Sequence, residues 1–167
     1  MQIRPFCTGD EPALLAVFRS AVHGLASRSY TREQLNAWAP QTIDQSLWTN
    51  RMQGIQPFIV EVSGQIVAYA DVQTSGYIDH FFVSAEHAGQ GIGSFLMEHL
   101  IKVANGRATP WLASDVSLTA QPFFGKFGFA IVEQRFPVLR GIVVPNALMR
   151  KQLTADPCID GARAVQF

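Results

Sequence analysis

Three glycines, Gly89, Gly91 and Gly93, alternate between an apolar run, Phe81-Phe82-Val83, and an amphipathic run that begins at Ile92. This order reads as the end of a strand, a glycine loop and the first turn of a helix. Glycine admits backbone conformations closed to other residues and lets a ligand approach the main chain. The first turn of a helix has N–H groups without intrahelical partners and the positive end of the helix dipole. A loop of this kind is an anion site suited to a phosphate or pyrophosphate. The rest of the chain must therefore fold into a frame that delivers a strand to the loop and carries a helix away from it.

Upstream, the spacing predicts hairpins. Phe58–Val62, Ile66–Val72 and Tyr77–Val83 are three β-type runs separated only by Ser63-Gly64-Gln65 and by a turn at Ser75-Gly76. Connections that short require antiparallel pairing. Gln2–Phe6 reads as a first strand, at an edge because of Pro5. Leu14, Leu15, Val17, Phe18, Ala21, Val22 and Leu25 recur at helical spacing, with Asp10 as the expected N-cap. Thr31 and Gln34 form a capping box for a short helix that carries Trp38 and stops before Pro40. A second short helix is expected over Asp44–Met52, with Leu47, Trp48 and Met52 inward. The two tryptophans read as core, or else Tyr30 and Trp38 line one wall of a substrate cleft.

Downstream, Ile92, Phe95, Leu96, Leu100 and Val103 share one helix face, and Asn105-Gly106 marks its end. Trp111–Ala113 is a strand core, expected to lie parallel to the strand ending at Val83 with the helix as a right-handed crossover. Ser117 is the expected cap of a helix through Phe123, Phe124 and Phe127, broken at Gly128. Two last strands are expected over Phe129–Gln134 and Ile142–Leu148. The pattern gives one domain, residues 1–153, with an extension over 154–167.

The charge balance excludes some partners. Thirteen Lys and Arg offset thirteen Asp and Glu, which argues against nucleic acid held on a broad basic face. No run reaches the ~18 apolar residues of a membrane span, and no signal peptide is evident. Cys7 and Cys158 have neither CxxC nor metal spacing. Together these imply a cytoplasmic chain with reduced thiols, no metal, no nucleic acid and no membrane.

Two nucleotide-site readings of the glycine loop fail. A dinucleotide fingerprint needs G-x-G-x-x-G at the start of a βαβ unit, but here the spacing is G-x-G-x-G after hairpins. A P-loop needs lysine before its Ser/Thr, and Gly93 leads directly to Ser94. A second block, Ala120-Gln121-Pro122-Phe123-Phe124-Gly125-Lys126-Phe127-Gly128-Phe129, breaks the choice. With Phe82-Val83 running into Gly89-Gln90-Gly91-Ile92-Gly93, it resembles the two motif segments of the GCN5-related N-acetyltransferase (GNAT) superfamily. The resemblance covers residues 2–150 in the order of strands and helices.

That resemblance implies a single-domain α/β (α+β) fold, a mixed, mostly antiparallel twisted sheet flanked by helices, with splayed central parallel strands. It implies an acyl-CoA-dependent N-acetyltransferase that moves acetyl from acetyl-CoA to a primary amine by direct attack in a ternary complex. The acceptor would be a small molecule or a protein amine, and the fold allows a homodimer. A non-catalytic acyl-CoA-binding sensor is the alternative. The coenzyme would lie on Ala88, Gly89, Gln90, Gly91, Ile92, Gly93 and Ser94 and along Phe81, Phe82 and Val83, with Ser117, Phe123 and Phe124 around the pantetheine and thioester. Ala88 stands where the family usually has Arg or Gln. Phe124 stands where many members have the Tyr that protonates the departing thiolate.

For the base, strand alternation places Tyr77, Asp79 and Phe81 on one face and His80 on the other. Asp79 is the expected base, with Tyr77 beside it as acid or orienting group; pairing of Asp79 with an arginine is the competing reading. Asp115 is expected to cap the helix after Ser117. His23 is placed near the acceptor, and His87 and His99 are expected to face solvent.

Overall fold

The computed structural model describes residues 1–153; the extension and Cys158 lie outside the described residues. The elements follow in the order β1 (Gln2–Pro5), α1 (Glu11–Ser20), a π turn (Ala21–Leu25), α2 (Arg32–Trp38), α3 (Gln45–Ile55), β2 (Phe58–Val62), β3 (Gln65–Ala70), β4 (Phe81–Val83), α4 (Ile92–Gly106), β5 (Trp111–Ser117), α5 (Gln121–Lys126), β6 (Ala130–Arg135), β7 (Val138–Leu139), β8 (Ile142–Val143) and β9 (Asn146–Gln152). The strands form two antiparallel half-sheets, β1-β2-β3-β4 and β5-β9-β6, with a small β7-β8 hairpin beside them.

The half-sheets meet at one short parallel contact, Tyr77 opposite Ala113. Ile78 N donates to Ala113 O at 2.8 Å and Ala113 N donates to Gly76 O at 3.1 Å. Past this contact β4 and β5 part, and a gap opens between them. The mostly antiparallel sheet expected from the hairpin spacing forms, with the splayed strands that the resemblance implies.

Helices cover both faces. Leu14, Phe18, Trp48 and Met52 of α1 and α3 pack on Ile59 and Tyr69. Leu96 and Leu100 of α4, with Phe124 of α5, pack on the other face against Val60, Ala68 and Leu112. Each large apolar side chain buried in this way contributes about 1.5–3 kcal/mol, so α4 is held chiefly by its core face. Thr31 and Gln34 form the capping box anticipated for α2, with Gln34 N on Thr31 Oγ1 at 3.2 Å and Thr31 N on Gln34 Oε1 at 2.9 Å.

Several local expectations are corrected. Asp10 does not cap α1; its carboxylate pairs with Arg4 (2.8 Å) and accepts Cys7 N (2.8 Å). The first helix switches to a π turn at Ala21 instead of running on to Leu25. Leu47 is 68% exposed, because Trp48 and Met52, four apart, already fill the inward stripe of α3. His99 packs edge-on against Phe58, ring centres 4.6 Å apart, and His87 bonds Ser84 Oγ through Nδ1 at 3.1 Å, so neither points simply to solvent. Ser117 does not cap α5; its residue ends β5, and its Oγ meets only Ala120 N, at 3.3 Å. The strand expected over Ile142–Leu148 is two strands, because Pro145 has no N–H to continue a ladder. The strand expected over Tyr77–Val83 is regular only from Phe81.

Candidate active site

The interruption at Asp79 and His80 has a specific cause. The side chain of Asp71, fully buried, enters the ladder where β3 ends. Its Oδ1 accepts Asp79 N at 3.1 Å and His80 N at 2.6 Å, and its Oδ2 accepts from the Gln73 amide. A side chain thus takes main-chain donors that a neighbouring strand would otherwise use. Burial pushes the Asp71 carboxyl up from its ordinary range, opposed by these hydrogen bonds. The consequence is broken alternation: Asp79 and His80, adjacent in sequence, both line the same chamber. Asp71 was missed in the sequence because its only mark is an acid inside a β-type run.

That chamber has a volume of about 800 Å³. Phe18, Tyr30, Trp38 and Trp48 supply aromatic walls, and Asp79, Asp115, Arg51, Arg135 and Arg140 supply charge. Asp79 Oδ2 pairs with Arg51, and its Oδ1 has no hydrogen-bond partner among the described residues. His80 is enclosed by Phe18, Trp48, Tyr69 and Phe82. Its Nδ1 lies 3.1 Å from Tyr69 Oη, and its Nε2 lies 3.8 Å from Asp79 Oδ2. With the phenol donating to Nδ1, the ring proton sits on Nε2, toward Asp79. Desolvation, opposed by the Asp79 charge, lowers the His80 pKa to about 4. The ring is therefore neutral at physiological pH. An NMR titration should place its midpoint near pH 4, and a midpoint near 6.5 would contradict this enclosure. Because the folded pKa lies below the unfolded one, His80 costs stability as pH falls from about 6.5 toward 4.

Tyr77 does not line the chamber. Its hydroxyl donates to Asp115 Oδ2 at 2.7 Å, and its ring borders a shallow groove that it shares with Arg51, Gln73 and Asp79. Burial and the neighbouring carboxylate keep the phenol protonated. Tyr77 thus lies beside Asp79, as expected, with its hydroxyl proton directed to Asp115. Asp115 caps no helix; it receives Tyr77 and Arg135 Nη1 (2.8 Å). His23 is exposed, and its Nε2 bonds Ala39 O at 2.7 Å, which ties the π turn to the end of α2. Tyr30 and Trp38 do line the chamber. Tyr30 Oη also donates to Pro145 O at 2.6 Å and accepts Leu118 N at 2.9 Å, so it bolts the two halves of that wall together.

A groove of about 530 Å³ runs from the glycine loop to this chamber. Phe81, Phe82, Val83, Ala88, Gly89, Gly91, Gly93, Ser94, Ser117 and Phe123 line it, and it shares Trp38, Phe81, Phe82, Ser117 and Ala120 with the chamber. Gly89 and Gly91 have φ of +76° and +82°, and a Cβ on either would meet nothing within 4 Å, so the loop amides stand open to a ligand. Phe95 N, on Gly91 O at 3.0 Å, is the first amide of α4 to find a helical acceptor. Gln90 lies outside the lining, its side chain on Glu86 O (3.1 Å). Ile92 is buried beneath the loop and offers only its backbone. Phe124, 2% exposed, lines the chamber rather than the groove. The charged side chain on the groove wall is Lys126, which sequence reasoning passed over as part of the aromatic block.

Beyond the parallel contact, β4 also presents a free edge. Ser84 N bonds Val67 O and Asp71 N bonds His80 O, so even-numbered residues face β3. Alternation turns the N–H and C=O of Phe81 and Val83 toward the gap.

An open anion loop, a groove along a parted sheet and a chamber adjoining its end are the layout of a group transferase. Comparison with known proteins agrees. The model of the acetyltransferase (GNAT) domain matches residues 26–146. The chain is 35% identical over 150 residues to YafP, an uncharacterized N-acetyltransferase of Escherichia coli (strain K12), covering 90% of this chain and 95% of that one. A crystal structure of a GCN5-related N-acetyltransferase from Rhodopseudomonas palustris superimposes with TM-score 0.87 at 28% identity, over 91% of this chain and 95% of that one. The acetyltransferase yncA of Salmonella typhimurium, solved with acetyl-CoA, shares the fold with TM-score 0.68 at 19% identity, over 97% and 99% of the two chains. The chain belongs to the GNAT acetyltransferase family.

Proposed function

We propose that this protein transfers acetyl from acetyl-CoA to a primary amine held in the chamber, in a ternary complex. The observation that carries the reading is the continuity of groove and chamber through Phe81, Phe82 and Ser117, which would bring a thioester and an amine together.

Each part of the chain has a task in this reading. The amides of residues 89–94 and the dipole of α4 bind the pyrophosphate, with Lys126 adding the charge that Ala88 lacks. The open-edge N–H and C=O groups of Phe81 and Val83 pair with the pantetheine amides as an added strand would. Asp79 Oδ1 accepts a proton from the bound ammonium, directly or through water. The freed amine nitrogen bonds to the thioester carbon while an open-edge N–H of β4 holds the developing oxyanion. The C–S bond then breaks, the electron pair leaves on sulfur, and the nitrogen gives up its second proton to solvent, leaving the neutral amide and the CoA thiolate. Phe124 has no proton to give, and a thiol with pKa of about 8.5 leaves tolerably as thiolate.

Free-thiol release from acetyl-CoA, measured across a panel of amines, tests this. Asp79→Asn should lower kcat by about 10²-fold or more, the usual scale of general-base catalysis. Undiminished turnover in Asp79→Asn removes Asp79 as base. Tight coenzyme binding without turnover of any amine replaces the transferase by an acyl-CoA sensor.

A further inference from the structure

Resting on the transferase reading, we infer that the acceptor is an amino-acid-like amine, with an anionic group gripped by Arg140 and an apolar or aromatic body on the chamber walls. Three arginines, Arg51, Arg135 and Arg140, face two aspartates, Asp79 and Asp115, in one cavity. Two of the three are neutralised by neighbours. Arg51 pairs with Asp79, and Arg135 pairs with Asp115 at 2.8 Å and Glu133 at 3.2 Å. Arg140 pairs with no carboxylate among the described residues. Its Nη1 donates to the main-chain Ala37 O at 2.7 Å, which leaves its charge uncompensated and its other donors available.

Arg140 reaches the chamber from a tight turn. It sits with Gly141 in the two-residue turn of the β7-β8 hairpin, where Leu139 pairs with Ile142, and its φ is +48°. Such a turn favours Asn or Gly at its first position, and an arginine there accepts a backbone conformation costing about 1–2 kcal/mol. Ser63 takes the same conformation in the β2-β3 turn; at Arg140 the side chain on that turn lines the chamber.

The charge balance selects the ligand. The amine must be neutral to attack, so an amino acid in its reactive form carries one negative charge, matching the one unpaired guanidinium. A simple amine offers that guanidinium no anion, and a diamine adds a further positive charge. Arginine binds carboxylate through a planar fork, which fixes orientation as well as charge. With the carboxylate on Arg140, the remaining walls, Phe18, Trp38 and Trp48, suit an apolar side chain.

The test compares L-phenylalanine, L-phenylalaninamide and phenethylamine as acceptors, and titrates N-acetyl-L-phenylalanine and its amide into the protein with CoA present. The amine of the amide is the less basic, so at neutral pH intrinsic reactivity favours the amide, and a preference for the acid reports on the site. Wild type should prefer the acid by about tenfold or more in kcat/KM. Arg140→Gln, which keeps a donor for Ala37 O, should bring that ratio near one, and Arg140→Lys should restore part of it. A ratio is unaffected by a general loss of folded protein. Equal or better use of the amide by wild type overturns the proposal, as does an unchanged ratio in Arg140→Gln. If no amine turns over but the acetylated acid binds at least tenfold tighter than its amide, the anion grip stands and the transferase reading falls. If neither binds preferentially, the anion grip falls.

Discussion

Gly76→Ala should unfold the protein or lower its melting temperature by about 10 °C or more. The position has φ +86°, and a Cβ built there lies 1.9 Å from Trp111 O and 2.9 Å from Thr109 Cγ2. The first of these is backbone, so no side-chain rotation relieves the overlap. The left-handed conformation alone costs about 1–2 kcal/mol for a non-glycine residue, and the overlap forces β5 to move. Gly76 O and the neighbouring Tyr77–Ala113 bridge are where the two half-sheets join, so the displacement falls on the junction that sets the angle of the groove. A combined loss above about 4 kcal/mol is a large part of the 5–15 kcal/mol available to a domain, and each kcal/mol is worth about 2–4 °C at this chain length. Gly54→Ala is the control. It lies inside α3 with nothing within 4 Å of the built Cβ, and alanine there should be neutral or stabilising by up to about 1 kcal/mol. Thermal melts of the two variants decide the matter. Equal, small shifts in both would show that the junction gives way easily.

The frame that Gly76 joins was legible because it rests on local rules. Ser63-Gly64 joins β2 to β3 as a two-residue turn, Val62 opposite Gln65. Gly91 takes positive φ at the start of α4, and Gly128 does so after α5. Each of these is a steric demand on one or two residues, visible as glycine at the required place. The coenzyme groove followed from them, because the strand, loop and helix that build it are contiguous in sequence. The chamber was less legible, because its charges come from five separate elements. Arg51 and Asp79 are 28 residues apart, and Asp115 and Arg135 are 20 apart. Nothing in periodicity pairs them. Alternation misled for a definite reason: it presumes an unbroken ladder, and the Asp71 carboxylate breaks the ladder at the two residues on which the assignment of Asp79 and His80 depended. Trp48 and Trp38 show the same limit. Sequence reads Trp48 as core only, with the cleft alternative at Tyr30 and Trp38, yet Trp48 serves as both, since it donates its indole N–H to Glu11 O at 2.8 Å while lining the chamber.

Asp71 is therefore the residue whose removal should most damage the chamber without touching the coenzyme loop. Alanine there would leave the amides of Asp79 and His80 buried without acceptors, at about 1–3 kcal/mol each, and would let the segment slide back toward a regular ladder. A regular ladder sends Asp79 and His80 to opposite faces, so one of them leaves the chamber. The expected result for Asp71→Ala is a fall in kcat/KM for the amine of about 10²-fold, with the KM for acetyl-CoA changed by less than about threefold, because Gly89–Gly93 and the open edge at Val83 lie beyond the interruption. Asp71→Asn keeps an oxygen for both amides and should recover most of the stability and part of the rate. The pair also separates charge from shape. Burial raises the Asp71 pKa in the folded state, so wild type binds that proton more tightly folded than unfolded. Its contribution to stability is greatest below the unfolded value of about 3.9 and declines as pH rises toward the folded pKa. Asp71→Asn cannot ionise, so its stability curve should lack that decline while its chamber stays in register. If Asp71→Ala keeps both its melting temperature and its amine kcat/KM, the interruption is held by the surrounding packing, and the carboxylate only follows it.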